Sequence, residues 1–135
     1  MSGAPIALQA AVLAALAADA DLLADLGEAR IYDAAPRDAT FPFVALGAAS
    51  AEDWSSGTEA GTAHRLVLHV WSRAGGRREA WRIAGHLMRI LHDAPLALES
   101  ARAVLVRVDF AEVRRDPDGI TTQGIVRLSA LTEAE

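Results

Sequence analysis

Cysteine is missing from all 135 residues, which excludes a disulfide framework, a thiolate zinc site and a cysteine nucleophile, and leaves no redox clue to compartment. Lysine is missing as well. All 13 basic residues are arginine, set against 18 acidic residues for a formal net charge of -5, a balance that argues against a generic lysine-rich nucleic-acid binder. No stretch is long and apolar enough to span a bilayer: Ala4 to Ala18 is alanine-rich but short, has no basic flank, and runs into Asp19 and Asp21. A core helix is expected there rather than a signal peptide, and no membrane partner. With 52% hydrophobic and 23% charged residues, and no internal repeat, linker or charge block, the chain is expected to form one domain over residues 1–135. The excess of alanine and arginine resembles coding bias in a GC-rich genome and says little about chemistry.

Periodicity supplies the elements. Pro5 fits the first turn of a helix, where its missing N–H would be unpaired anyway, and Ile6, Leu8, Val12, Leu13 and Leu16 follow at roughly helical spacing, so a helix is predicted from Pro5 to Ala18. Asp19 is placed to cap a second short helix through Leu22, Leu23 and Leu26, ended by Gly27. Arg30, Ile31 and Tyr32 read as an edge strand, an irregular connection carries Pro36 and Pro42, and Phe43 to Ser50 reads as the next strand. Glu52 to Thr62 has the composition of a mobile loop at the end of a long hairpin, with Trp54 its one large apolar residue. Ala63 to Arg73 then alternates, with Leu66, Leu68 and Val70 on the core face and Arg65, Val67, His69 and Trp71 on the other.

Glu79 to His92 returns to helical spacing. Ala80, Ala84, Leu87 and Leu91 form its apolar stripe, widened by Trp81, Ile83, Met88 and Ile90, with Arg82, His86, Arg89 and Asp93 on the solvated face. Pro95 stops it. A strand pair follows, Arg102 to Arg115 and Ile120 to Thr132, joined by the turn Asp116-Pro117-Asp118-Gly119. Val104, Val106, Val108 and Phe110 are the predicted core face of the first of these, and Thr132 to Glu135 is expected to fray. The fold class is α+β: a mainly antiparallel sheet of four to five strands with an N-terminal helix and one long helix packed on it.

Chemistry finds little purchase. His64 and His69 are five apart on a strand and so point to opposite faces, while His86 and His92 lie roughly 240° apart around a helix. No metal site is expected. Asp116 and Asp118 with Gly119 resemble a fragment of a calcium loop, but Pro117 and the lack of a following bidentate glutamate favour a hairpin turn. Asp109 and Glu112, at odd separation, are expected on opposite strand faces rather than as an acid–base pair. There is no phosphate-cradling loop and no nucleophile elbow, so no catalytic residue and no cofactor is assigned.

Association fits better. Val67 and Trp71 between Arg65, His69 and Arg73 have the composition of a protein interface, although a second helix covering that face would explain them equally. Trp54 either orders against a partner or folds back as a lid on its own hairpin.

The runs Arg30-Ile31-Tyr32-Asp33 leading to Pro36, Phe41-Pro42-Phe43-Val44-Ala45-Leu46-Gly47, His64-Arg65-Leu66 to Val70-Trp71-Ser72-Arg73, Leu91-His92-Asp93-Ala94-Pro95-Leu96 and Arg115-Asp116-Pro117-Asp118-Gly119 carry a resemblance in their order and spacing. Together they resemble the tail terminator or tail-completion proteins of long-tailed phages and phage-like gene transfer agents, over nearly the whole chain. The resemblance implies a non-enzymatic virion protein, assembled in the bacterial cytoplasm. It would form a homo-oligomer, a hexameric ring at the head-proximal end of the tail tube. Such a ring stops tube growth and joins the tail to a head-completion (stopper) protein, and DNA passes through its lumen without specific binding. Its expected partners are the major tail tube protein and that stopper. Within this reading Arg65, Val67, His69, Trp71 and Arg73 are candidate subunit contacts, and Glu52, Asp53, Trp54 and Glu59 candidate contacts to tube, neck or lumen. The alternatives are a stopper or adaptor of the same neck or, from another class, a small-ligand binding domain or enzyme.

Overall fold

The computed structural model describes residues 3–135. Pro5 lies in the first turn of α1 (Ala4–Ala17), whose Leu8, Val12 and Leu16 are buried. Ile6, expected in the apolar row, points outward and is 73% exposed: it lies about 120° around the helix from the centre of that row, beyond the half that one packing surface can cover. Asp19 caps α2 (Ala20–Leu26) by accepting the N–H of Leu22 at 2.9 Å, and Gly27 takes φ 90 to end it. A side chain would be strained at that dihedral.

The strands are β1 (Ile31–Tyr32), β2 (Phe43–Asp53), β3 (Gly61–Ser72), β4 (Ala97–Leu98), β5 (Ala101–Arg115) and β6 (Thr122–Ala134), with α3 (Arg78–Leu91) between β3 and β4. They form one six-stranded curled sheet in the order β1-β2-β3-β6-β5-β4. The expectation of four to five antiparallel strands is therefore corrected in two respects. There are six strands, and β1 runs parallel to β2, so the sheet is mixed. Strand β1 falls where Arg30, Ile31 and Tyr32 predict an edge strand, whereas β4 carries only two residues, too few for a periodicity argument to register.

Both long helices lie on one side of the sheet, their buried rows joining Val44, Leu66, Leu68, Val70, Val126 and Leu128 in a single core. In addition α1 packs against both β1 and β4, the opposite edges, and so lies across the mouth of the curl. The side of α3 expected to be solvated is only partly so. His86 bonds Asp25 at 2.7 Å and Arg89 makes a two-pronged bond to Asp19 at 2.9 Å, which ties α2 to α3. Trp81, expected to widen the apolar stripe, is instead 44% exposed.

Strand β5 departs most from expectation. Register shifts between Ala103 and Leu105 and again between Val108 and Phe110 are β-bulges, each adding a residue and reversing which parity faces inward. The inward residues are consequently Ala103, Val106, Val108, Ala111 and Val113, opposite Thr132, Ala130, Leu128, Val126 and Gly124. Val104 and Phe110, predicted for the core, are exposed. The second bulge also defeats the argument about Asp109 and Glu112. Asp109 accepts from Ser129 Oγ at 2.6 Å on the face that also carries Glu112.

Two further expectations fail at the hairpin ends. Strand pairing runs on to Asp53 opposite Thr62, so Glu52 and Asp53 belong to a strand and the loop proper is short. The C-terminal residues are not frayed: β6 continues to Ala134, and Thr132 is buried against His64 Nε2 at 2.9 Å.

Candidate assembly interface

The face of the sheet turned away from the helices carries Arg65, Val67, His69 and Trp71 on β3, opposite Ser129, Arg127, Ile125 and Gln123 on β6. The sequence therefore placed these β3 side chains on one face correctly, and among the described residues no helix covers them. They are not equally free. His69 stacks on Trp71 with centroids 6.0 Å apart and bonds Gln123 at 2.9 Å. Its ring lies over Gly47, where a Cβ would overlap Nε2; only glycine lets the imidazole cross β2 at this point. Burial, and then the charge of Arg114, hold the His69 pKa below its usual value, which disfavours the charged ring. Arg73 lies 4.2 Å above the Phe41 ring and donates to Thr121 Oγ1 at 3.1 Å. Arg65 and Val67 remain as the accessible pair.

The second group continues along the same ribbon toward its other end: Glu52 pairs with Ala63, two residues from Arg65, and lines one pocket with Arg65, while Trp54 and Glu59 lie at the tip. Trp54 donates its backbone N–H to Gly61 at 2.9 Å, and its indole lies over Gly61. It is the lid on its own hairpin, still 41% exposed. Asp53 accepts from the N–H and Oγ of Ser55 at 3.1 and 2.6 Å, which lowers its pKa; its carboxylate is engaged in shaping the loop. Glu52 and Glu59 are exposed. The structure thus sets Trp54 and Glu59 at the hairpin tip, away from His69 and Trp71, while Glu52 adjoins Arg65.

A cleft of about 400 Å³ lies between this tip and the start of α1, with Glu52, Asp53, Ser55, Thr62, Glu99 and Ser100 among its lining. Its charged groups are all carboxylates, so it offers no anion-binding set. Among the described residues no three His, Asp or Glu side chains converge as metal ligands, and every buried side-chain polar atom has a partner. At the far end Asp118 accepts the N–H groups of Ile120 and Thr121 and the hydroxyl of Thr121, and its pKa falls to about 2. The aspartates resembling a calcium loop therefore serve the turn. What remains is an extended surface of strand side chains, suited to contact with another macromolecule.

Residues 10–133 match the family described as tail completion protein gp17. The chain belongs to that family. It is 28% identical over 101 residues to tail completion protein gp17 of Bacillus phage SPP1, a match covering 73% of each chain. The solved structure of SPP1 gp17 superposes with a TM-score of 0.62 at 26% identity, covering 92% of this chain and 87% of that one. A chain in the virion of a native gene transfer agent particle superposes with a TM-score of 0.90 at 32% identity, over 99% of this chain and 100% of the other. The resemblance read from the motifs is thus supported, and the protein is a virion structural protein of the tail-completion kind, placed in the virion tail.

Two features of this surface escaped the sequence. The bulges of β5 bring Val104, Leu105 and Phe110 outward, and nothing in their residue types marks a bulge. The other is the uncovered side of α1: the sequence predicts a core helix, and its Ile6, Ala10, Ala14 and Ala17 are exposed.

Proposed function

We propose that this tail-completion protein assembles into a hexameric ring at the head-proximal end of the tail tube. There it stops tube polymerisation and joins the tail to the head-completion stopper, as a structural rather than catalytic component. The single observation that carries this reading is the end-to-end likeness to a chain of a gene transfer agent virion, with a TM-score of 0.90 over 99% of this chain. Arg65, Val67, His69, Trp71 and Arg73 are the proposed subunit contacts, with Arg65 and Val67 making the direct approach and the others fixing the surface around them. Glu52, Asp53, Trp54 and Glu59 are the proposed contacts to tube, neck or lumen.

The charge distribution is consistent with a passage for DNA. The hairpin tip and its surroundings carry Glu52, Asp53, Glu59, Glu99 and Glu133, with Arg102 already paired to Glu133. Carboxylates at a lumen do not grip phosphates.

Electron microscopy of particles from a strain lacking the gene tests the reading. Filled heads without tails, beside unjoined or overlong tubes, are expected. Normal attached tails would overturn it.

A further inference from the structure

A helix that is apolar on every side is ordinarily buried on every side. Helix α1 meets only half of that condition. Its inward row of Leu8, Val12 and Leu16 is fully packed, whereas Ile6, Ala10, Ala14 and Ala17 face outward without a partner in the chain. Ile6 is 73% exposed, more than any other large hydrophobic residue among those described. Acidic groups flank this face at both ends. Glu99 lines the cleft at its N-terminal end, with Asp53 there held by Ser55, and exposed Asp21 lies beyond its C-terminal end, with Glu28 there paired to Arg30. Arg89, the nearby cation, is already taken by Asp19.

The opposite side of the subunit has the complementary character. The bulges of β5 leave Leu105 and Phe110 each 38% exposed on the outer sheet face. Around them stand Arg65, Arg107 and Arg114, none with a carboxylate partner among the described residues. Asp109 on this face is held by Ser129, leaving Glu112 beside Arg114 and Glu52 beside Arg65 as its free carboxylates among the described residues, so Arg107 and Arg114 carry most of the unpaired positive charge.

We propose that the outward face of α1 in one subunit seats on the outer face of β5 and β6 in a second copy, with Ile6 and Ala10 against Leu105 and Phe110. The flanking carboxylates then meet the arginines. This contact rests on the ring reading above and names its surfaces. Because the two faces lie on opposite sides of one subunit, the association is head-to-tail, and a rotation at each step closes it into a ring. The symmetric alternatives lose the complementarity: α1 against α1 sets carboxylates against carboxylates, and sheet against sheet sets arginines against arginines.

The absence of cysteine makes the test clean. Particles are assembled with the double variant Ala10→Cys/Phe110→Cys, treated with a short bis-maleimide and run under denaturing conditions; neck complexes released from the same particles are weighed by native mass spectrometry. A ladder of covalent oligomers from the double variant, with each single variant left monomeric, is the expected result. Covalent dimers from Ala10→Cys alone would overturn the proposal in favour of a symmetric contact. Ala14→Cys/Leu105→Cys serves as the second pair should the first fail to fold. Absence of a ladder from a folded pair, in particles whose neck complex has the mass of a ring, would overturn the α1 contact and leave the ring standing. A neck complex containing a single copy would overturn the ring reading itself.

Discussion

Helices α1 and α3 have the same length of 14 residues and the same job of covering one side of the sheet. Their inward rows are equivalent: Leu8, Val12 and Leu16 in one, Ile83, Leu87 and Leu91 in the other, are buried in a common core. Their outward rows are not. Helix α3 turns Arg78, Trp81 and Arg82 outward and ties Arg89 to Asp19, whereas α1 turns out only Ile6, Ala10, Ala14 and Ala17. The first is mostly charged with one exposed aromatic; the second bears no charge and, in the contact proposed above, is covered by a second subunit. Folding and assembly have thus been assigned to different sides of similar helices, and substitution can separate the two.

The largest effects are expected where the helices agree. Leu16→Ala and Leu87→Ala each remove a fully buried side chain and should each cost about 2–5 kcal/mol, because transfer and cavity terms add. Chemical denaturation should give similar losses for the two. A much smaller loss for Leu16→Ala would mean that α1 is not an integral part of the core.

A smaller loss is expected on the outer sheet face. Gly47→Ala forces the His69 ring away from Trp71 and Gln123, and overpacking of this kind costs about 1–3 kcal/mol. His69→Ala should relieve it, so a double-mutant cycle between positions 47 and 69 should show strong coupling. Additive losses would place the cost in the backbone of β2 instead.

The outward rows carry the sharper contrast. Ala10→Glu should change stability by less than about 0.5 kcal/mol, as is usual at exposed sites, while sharply reducing the yield of tailed particles. Arg82→Glu on α3 should leave both nearly unchanged. Equal particle yields from the two variants would erase the distinction between the helices.

How much of this was legible depended on whether one period governed an element. Strand β3 alternates without interruption, so Leu66, Leu68 and Val70 were placed inward and Arg65, Val67 and Trp71 outward from sequence alone. Strand β5 has equally suggestive valines, yet its bulges after Ala103 and Val108 reverse parity and put Val104 and Phe110 on the wrong side of the prediction. Bulges are set by pairing with β6, which a local pattern does not contain. Strand β1 is legible as an edge strand from its β-favouring residues, but its parallel pairing of Ile31 with Val44 depends on a connection whose path no local signal specifies, and β4 was too short to carry a pattern. The candidate interface was legible to the same degree. Its β3 members follow from alternation, while Leu105, Phe110 and the uncovered side of α1 follow from tertiary structure.

The smallest effect concerns the joint between the two helices, where Asp19 both caps α2 and grips Arg89 of α3. The hydrogen bond from Arg89, then that from the Leu22 N–H, lowers the Asp19 pKa from 3.8 to about 2. A carboxylate whose pKa is depressed in the folded state adds stability that is fully present above the unfolded value and is lost as pH falls through the folded one. Thermal melts should accordingly lose this contribution between about pH 4 and pH 2. Asp19→Asn keeps an N-cap acceptor and removes the charge, so it should flatten that part of the acid profile while leaving the helix in place by circular dichroism. An unchanged acid profile would show that the cap alone, and not the bond to Arg89, holds α2 against α3.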